Sequence, residues 1–198
     1  MDPVEGFILV GGASSRMGTD KARLAIGKES FVQRIGRELS TATAKVSVVG
    51  KPDQNDSGFP LAPDVHEQWG ALGGVHAALA ACRSEWAFII ACDLPNVTSA
   101  LFERLLLFRK GFDAVAPVQA DGRRQPLCAA YLVAVCLPQA EALIKTGERK
   151  PVALLQSVAT RWLDFSELAD LKGAEQFFDN INTPCDYERL FQKGARES

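Results

Sequence analysis

Short, unbroken apolar runs alternate with helical stripes along the first half of this chain, and that alternation limits the fold more than any other feature. Phe7-Ile8-Leu9-Val10 is apolar throughout and flanked by Gly6 and Gly11, the pattern of a strand buried on both faces. In residues 30–41, Phe31, Val32, Ile35 and Leu39 form the stripe of an amphipathic helix. Residues 45–49 are β-branched and run into Gly50-Lys51-Pro52, which predicts a second strand, and the polar stretch 51–58 reads as a surface loop. Residues 75–82 are Ala-rich and helix-prone, and 86–92 are the next buried strand. A helix over 100–110 turns Leu101, Phe102, Leu105, Leu106 and Phe108 inward and stops at Arg109-Lys110-Gly111. Residues 113–118 follow as a strand. This order predicts an α/β fold, Rossmann-like, with a mainly parallel sheet and helices on both faces.

The second half is less regular. Residues 125–133 read as extended, 138–146 as a helix opened by Pro138 and closed by Gly147, 151–158 as a short helix and 160–165 as a strand. Thr183-Pro184-Cys185-Asp186 is a near capping box that should start a last helix ending near Gly194. No linker or repeat interrupts the 198 residues, so one domain is expected, with a first half over about 1–110 and a second over about 111–198.

Composition excludes whole classes. With 47% hydrophobic and 23% charged residues, the chain can build a core. Its 22 Lys and Arg against 24 Asp and Glu argue against nucleic acid or a membrane surface as partner. The longest apolar stretch, 86–92, is far below the roughly 18 residues of a membrane span. The acidic start lacks the pattern of a secretory signal. Five scattered cysteines without a CxxC pair read as reduced thiols of a cytoplasmic protein. Only His66 and His76 are available, which argues against zinc.

Chemistry concentrates after the first strand. Residues 9–21, LVGGASSRMGTDK, follow a buried strand where a doubly wound sheet opens its ligand crevice. Small residues let backbone N–H groups approach phosphate oxygens, and Arg16 and Lys21 can neutralise them. Between Arg16 and Lys28 stand four cations and one acid, Asp20. Neither a P-loop nor a GxGxxG dinucleotide fingerprint occurs here. The alternative is a plain strand-to-helix turn with solvated cations. Residues 91–96, ACDLPN, put Asp93 at the carboxyl end of a second buried strand, facing the same crevice. One carboxylate with substrate phosphates suits Mg2+. Alternatively, Asp93 caps the turn that Pro95 enforces.

The segment 9–21 resembles the opening motif LxGGxSxRMGxDK of the molybdenum cofactor guanylyltransferases, whose fold is of the nucleotide-diphospho-sugar transferase type. The related cytidylyltransferases look more like AAGxSxRMGxxK, so Gly11-Gly12 and Asp20 lean toward guanine. The resemblance continues to Asp186. It implies nucleotide contacts from Leu9, Val10, Gly11, Gly12, Lys21, Asp64 and Asp93, and catalytic roles for Arg16, Lys21 and Asp93, with Mg2+ as cofactor on Asp93. Residues 70–74, GALGG, resemble a loop that opens a helix near the base, although Ala71 stands where Pro is frequent. A helix starting near Gly74 would also offer free N–H groups; the structural alternative is glycines packed under a neighbouring element. Residues 121–127, DGRRQPL, resemble a GRxxPL stretch facing the pterin substrate, with Arg124 as contact; the alternative for Arg123 and Arg124 is a solvated hairpin turn. Residues 178–184, FDNINTP, resemble the closing NxNTP pattern, with Asn180 and Asn182 on the acceptor side. Cys185 stands where Glu is frequent.

The resemblance implies transfer of GMP from GTP to molybdenum-molybdopterin with release of pyrophosphate. It leaves other cofactor-biosynthesis proteins and acceptor molybdoenzymes as candidate partners. The rivals are a cytidylyltransferase for the same cofactor, a sugar-phosphate nucleotidyltransferase, and a non-catalytic nucleotide-binding adaptor.

Overall fold

A computed structural model describes residues 3–10, 25–26, 29–50, 57–63 and 69–181. Residues 51–56 of the predicted 51–58 loop, His66, and the capping box and last helix beyond Ile181 lie outside them.

Seven strands form one sheet in the order β5-β4-β1-β6-β8-β7-β9. They are β1 (Val4–Leu9), β4 (Lys45–Gly50), β5 (Leu61–Pro63), β6 (Trp86–Ala91), β7 (Ala114–Pro117), β8 (Cys128–Leu132) and β9 (Thr160–Leu163), while β2 (Ala25–Ile26) and β3 (Glu29–Ser30) pair separately. β1 pairs in parallel with both β4 and β6, β4 with β5, and β7 with β9. Only β8 runs the other way, antiparallel to β6 and to β7. The sheet is therefore mixed and mostly parallel.

The alternation of side chains along the central strands divides the core in two. Ile8, Phe88 and Ile90 face α1 (Phe31–Ala42) and α3 (Ser99–Leu107), with Val32, Ile35, Leu39, Leu101, Phe102 and Leu105 filling that layer. Phe7, Leu9, Ala87 and Ile89 face α2 (Gly70–Ala81), α4 (Val133–Lys145) and α5 (Pro151–Ser157) across Leu72, Val75, Leu79, Ala140 and Leu154. Helices cover both faces, as the sequence predicts. Ser30 caps α1 in a reciprocal capping box with Gln33.

Several boundaries move: α3 ends at Leu107 rather than at 110, β8 starts at Cys128 rather than at 125, and β9 ends at Leu163 rather than at 165. β1 starts at Val4 rather than Phe7 and takes in Glu5, 8% exposed. The Glu5 carboxylate is satisfied there, accepting from the Arg83 N–H at 3.2 Å and the Ser84 hydroxyl at 3.1 Å. α2 starts at Gly70, five residues early, so the glycines 73 and 74 sit inside the helix rather than in a loop before it. α4 starts at Val133 and carries Pro138 within it. Cys136, Ala140 and Ile144 are buried one turn apart, and this face outweighs the donor that Pro138 lacks. The carbonyl left without that donor belongs to Ala134, which is exposed to water.

Candidate active site

The carboxyl ends of β1, β4 and β6 meet at one edge. The Cys92 N–H donates to the Leu9 carbonyl at 3.2 Å, and the Val10 N–H donates to the Val49 carbonyl at 2.9 Å. Leu9 and Val10 are buried, so the chain enters the segment after residue 10 from a fixed point. Gly50 makes that junction possible: a Cβ there would lie 2.4 Å from the Val10 carbonyl oxygen. Gly74 gives α2 its approach to the same spot, since a Cβ would lie 3.3 Å from Leu9 Cδ1. The packed-glycine alternative therefore describes Gly74. Two of the N–H groups in the first turn of α2 are already taken. The Leu72 N–H donates to the Arg149 carbonyl at 3.2 Å and the Gly73 N–H to the Trp69 carbonyl at 3.4 Å.

Asp93 follows β6 at this edge and is half-buried. Its carbonyl accepts from the Ile181 N–H at 3.1 Å. That bond brings the 178–181 segment, and with it exposed Asn180, beside Asp93. Next to this segment lies a cleft of about 370 Å3 lined by Gln119, Asp121, Arg123, Phe165, Phe178 and Asp179. The hairpin between β7 and β8 supplies one wall. Gly122, at φ +82°, turns it, and Asp121 accepts from the Arg123 N–H at 3.0 Å and from Arg123 Nε at 2.6 Å. Those bonds, led by the backbone one, hold the Asp121 carboxyl below its ordinary range. The other wall is braced by Arg104, which bridges from α3 to Asp170 through two bonds of 3.0 and 2.8 Å.

The sequence nominates Arg124 on this hairpin, but Arg124 stacks 4.4 Å over the Trp162 ring while Arg123 lines the cleft. Adjacent residues on a strand leave by opposite faces, and 124 bridges to Val118 as a strand residue does. Gln119 and Phe165 join the cleft without any sequence signal, whereas Phe178 belongs to the closing segment the sequence marks. Gln119 does leave a trace in the structure, a buried Nε2 with no hydrogen-bond partner. Gly11, Gly12, Arg16, Lys21, Asp64 and Asn182 lie outside the described residues. Leu9, Val10, Asp93 and Asn180 come together at one edge.

A mostly parallel sheet gathers a strand-end carboxylate, the chain entering a glycine-rich loop and a second cleft at its carboxyl edge, an arrangement that fits a nucleotidyltransferase. The profile of the MobA-like NTP transferase domain matches residues 6–162. The molybdenum cofactor guanylyltransferase of Vibrio atlanticus is 32% identical over 95% of this chain and 94% of its own length. That of Yersinia pseudotuberculosis is 31% identical over 96% of each. In fold, molybdopterin-guanine dinucleotide biosynthesis protein A from Archaeoglobus fulgidus superposes with a TM-score of 0.81 at 23% identity, covering 97% of this chain and 99% of that one. The 2-C-methyl-D-erythritol 4-phosphate cytidylyltransferase of Thermus thermophilus gives 0.71 at 18% identity, over 99% and 100%. The chain belongs to the molybdenum cofactor guanylyltransferase family.

Proposed function

We propose that this enzyme transfers GMP from GTP to molybdenum-molybdopterin: the pterin's terminal phosphate attacks the α-phosphorus and pyrophosphate leaves. The observation that supports the reading is the main-chain bond between Ile181 and Asp93, which brings the segment proposed to face the acceptor beside the carboxylate proposed to hold the nucleotide's metal. No covalent enzyme intermediate is needed, because a phosphate monoester is already a nucleophile. The protein's task is to bring two polyanions together in line.

Mg2+ fits the donor chemistry of Asp93. Among the described residues no three His, Cys, Asp or Glu side chains gather as a metal cage, and Mg2+ is commonly held by one or two carboxylates with substrate phosphates. Bound there, it would act as Lewis acid and template for the phosphates. Leu9, Val10, Gly11, Gly12 and Asp64 would seat the nucleotide, while Arg16 and Lys21 would offset charge on the transferred and leaving phosphates. For the acceptor, the cleft offers Phe165 and Phe178 as apolar faces, the Asp179 carboxylate for the N–H edge of a pterin, and the unpartnered Gln119 amide. Asn180 and Asn182 would complete that side, with Arg123 taking the place of Arg124, which stacks on Trp162. No helix among the described residues is long and apolar enough to cross a membrane, in keeping with a cytoplasmic reaction.

Pyrophosphate release is measured with molybdenum-loaded molybdopterin and Mg2+, supplying GTP, CTP or ATP. Release with GTP alone is expected; release with CTP instead would reassign the base. Asp93→Asn should lower kcat at least about a hundredfold, and a rate near wild type would remove Asp93 from the chemistry.

A further inference from the structure

The chain between β6 and α3 carries Asp93 and has no regular structure of its own, yet it is held at several points. Leu94 and Val97 plug into the core at 1% and 2% exposure. The Asp93 carbonyl is taken by Ile181. The other two restraints come from α1. Arg34 Nε donates to the Pro95 carbonyl at 2.8 Å, and Glu38 Oε2 accepts from the Ser99 N–H at 3.1 Å. Thr98, the N-cap of α3, makes no side-chain cap bond, so the Glu38 carboxylate caps α3 from a neighbouring helix.

Arg34 is unusual among these contacts. It is the fourth residue of α1, near a helix end whose field favours anions, and the first turn holds no acid. Its neighbour Arg37 pairs with both Glu29 and Glu38. Among the described residues Arg34 makes no such ion pair; its hydrogen bond goes to a neutral carbonyl two residues past Asp93. Such a bond acts on the loop's geometry rather than on local charge balance.

We infer that Arg34 is a positioning residue, which fixes the Asp93 carboxylate for metal-bound nucleotide by holding the Pro95 carbonyl. The inference rests on the metal role proposed for Asp93. Its consequence is that Arg34 matters to the metal-dependent part of GTP binding more than to GTP binding itself.

Calorimetry of GTP binding with Mg2+ and with EDTA gives that part directly, as the ratio of the two affinities. Asp93→Asn should abolish the ratio. Arg34→Ala should lower it about tenfold, the scale of one charge-assisted hydrogen bond, leaving the affinity in EDTA within about twofold. Arg34→Lys, which keeps a cationic donor, should restore most of it, and Arg34→Ala should add nothing in an Asp93→Asn background. Arg34→Gln gives the same reading if the Ala variant does not fold. A wild-type ratio in the Arg34 variants, with or without a lower Tm, overturns the inference while the loss in Asp93→Asn keeps the metal role. An unchanged ratio in Asp93→Asn overturns the metal role and the inference with it.

Discussion

Cys82, Cys128 and Cys136 carry thiols that burial makes hard to ionise. Burial pushes the Cys82 thiol up to about 11 and the Cys136 thiol up to about 12, and raises that of Cys128 as well, from an ordinary value of 9.0. A raised acid of this kind stabilises the folded chain fully below pH 9. Above it the unfolded thiols ionise first, and the contribution is lost as pH climbs through the folded values. The urea midpoint should therefore hold to about pH 9 and fall progressively from pH 9 to 12, and Cys82→Ala should flatten the early part of that fall. That Cys82, Cys128 and Cys136 form no disulfide was legible from cysteine spacing; the depth of each thiol was not, because it depends on which helix covers it. The same holds for Arg123 and Arg124. The sequence marks the basic pair, whereas the faces they occupy follow from where the antiparallel ladder begins.

At the scale of elements, glycines 50 and 74 look alike in sequence and differ in what they face. A Cβ on Gly50 would meet the Val10 carbonyl at 2.4 Å, and that backbone oxygen, just past β1 on a buried residue tied by its own N–H to Val49, cannot yield. Gly50→Ala should cost about 2–3 kcal/mol and weaken nucleotide binding by displacing the chain that enters the glycine loop. A Cβ on Gly74 would meet the end of the Leu9 side chain at 3.3 Å, which can shift by a few tenths of an ångström. There the gain of about 1 kcal/mol in helix propensity offsets the crowding, so Gly74→Ala should change stability by under about 1 kcal/mol. Urea unfolding of the two variants checks the order, and equal losses would refute it. Strands with two-sided apolar runs were legible as elements, as was the stripe of α1. The starts of α2 and α4 were not. Glycines and a proline argue locally against helix there, and only burial against β1 and α2 reverses that local preference.

For the molecule as a whole, the candidate site is an edge assembled from segments far apart in sequence, so ligand should stabilise the entire fold. At Mg2+ and GTP about a hundredfold above the dissociation constant, mass action contributes about 2.7 kcal/mol, a rise in Tm of about 5–10 °C for a chain of this length. Calorimetric melting checks it, and EDTA should remove most of the rise. The sequence by itself determined the class of fold, since apolar runs buried on both faces demand a mostly parallel sheet under two helical layers. It also determined the order of the motifs and the carboxylate at the end of β6. Only the tertiary structure decided that β8 reverses direction, that the Ile181 main chain meets Asp93, and that Gln119, Phe165 and Phe178 share a cleft. Periodicity and strand ends are written in neighbouring residues. Strand pairing, main-chain contacts between distant segments and the walls of a cleft depend on how far-separated pieces pack.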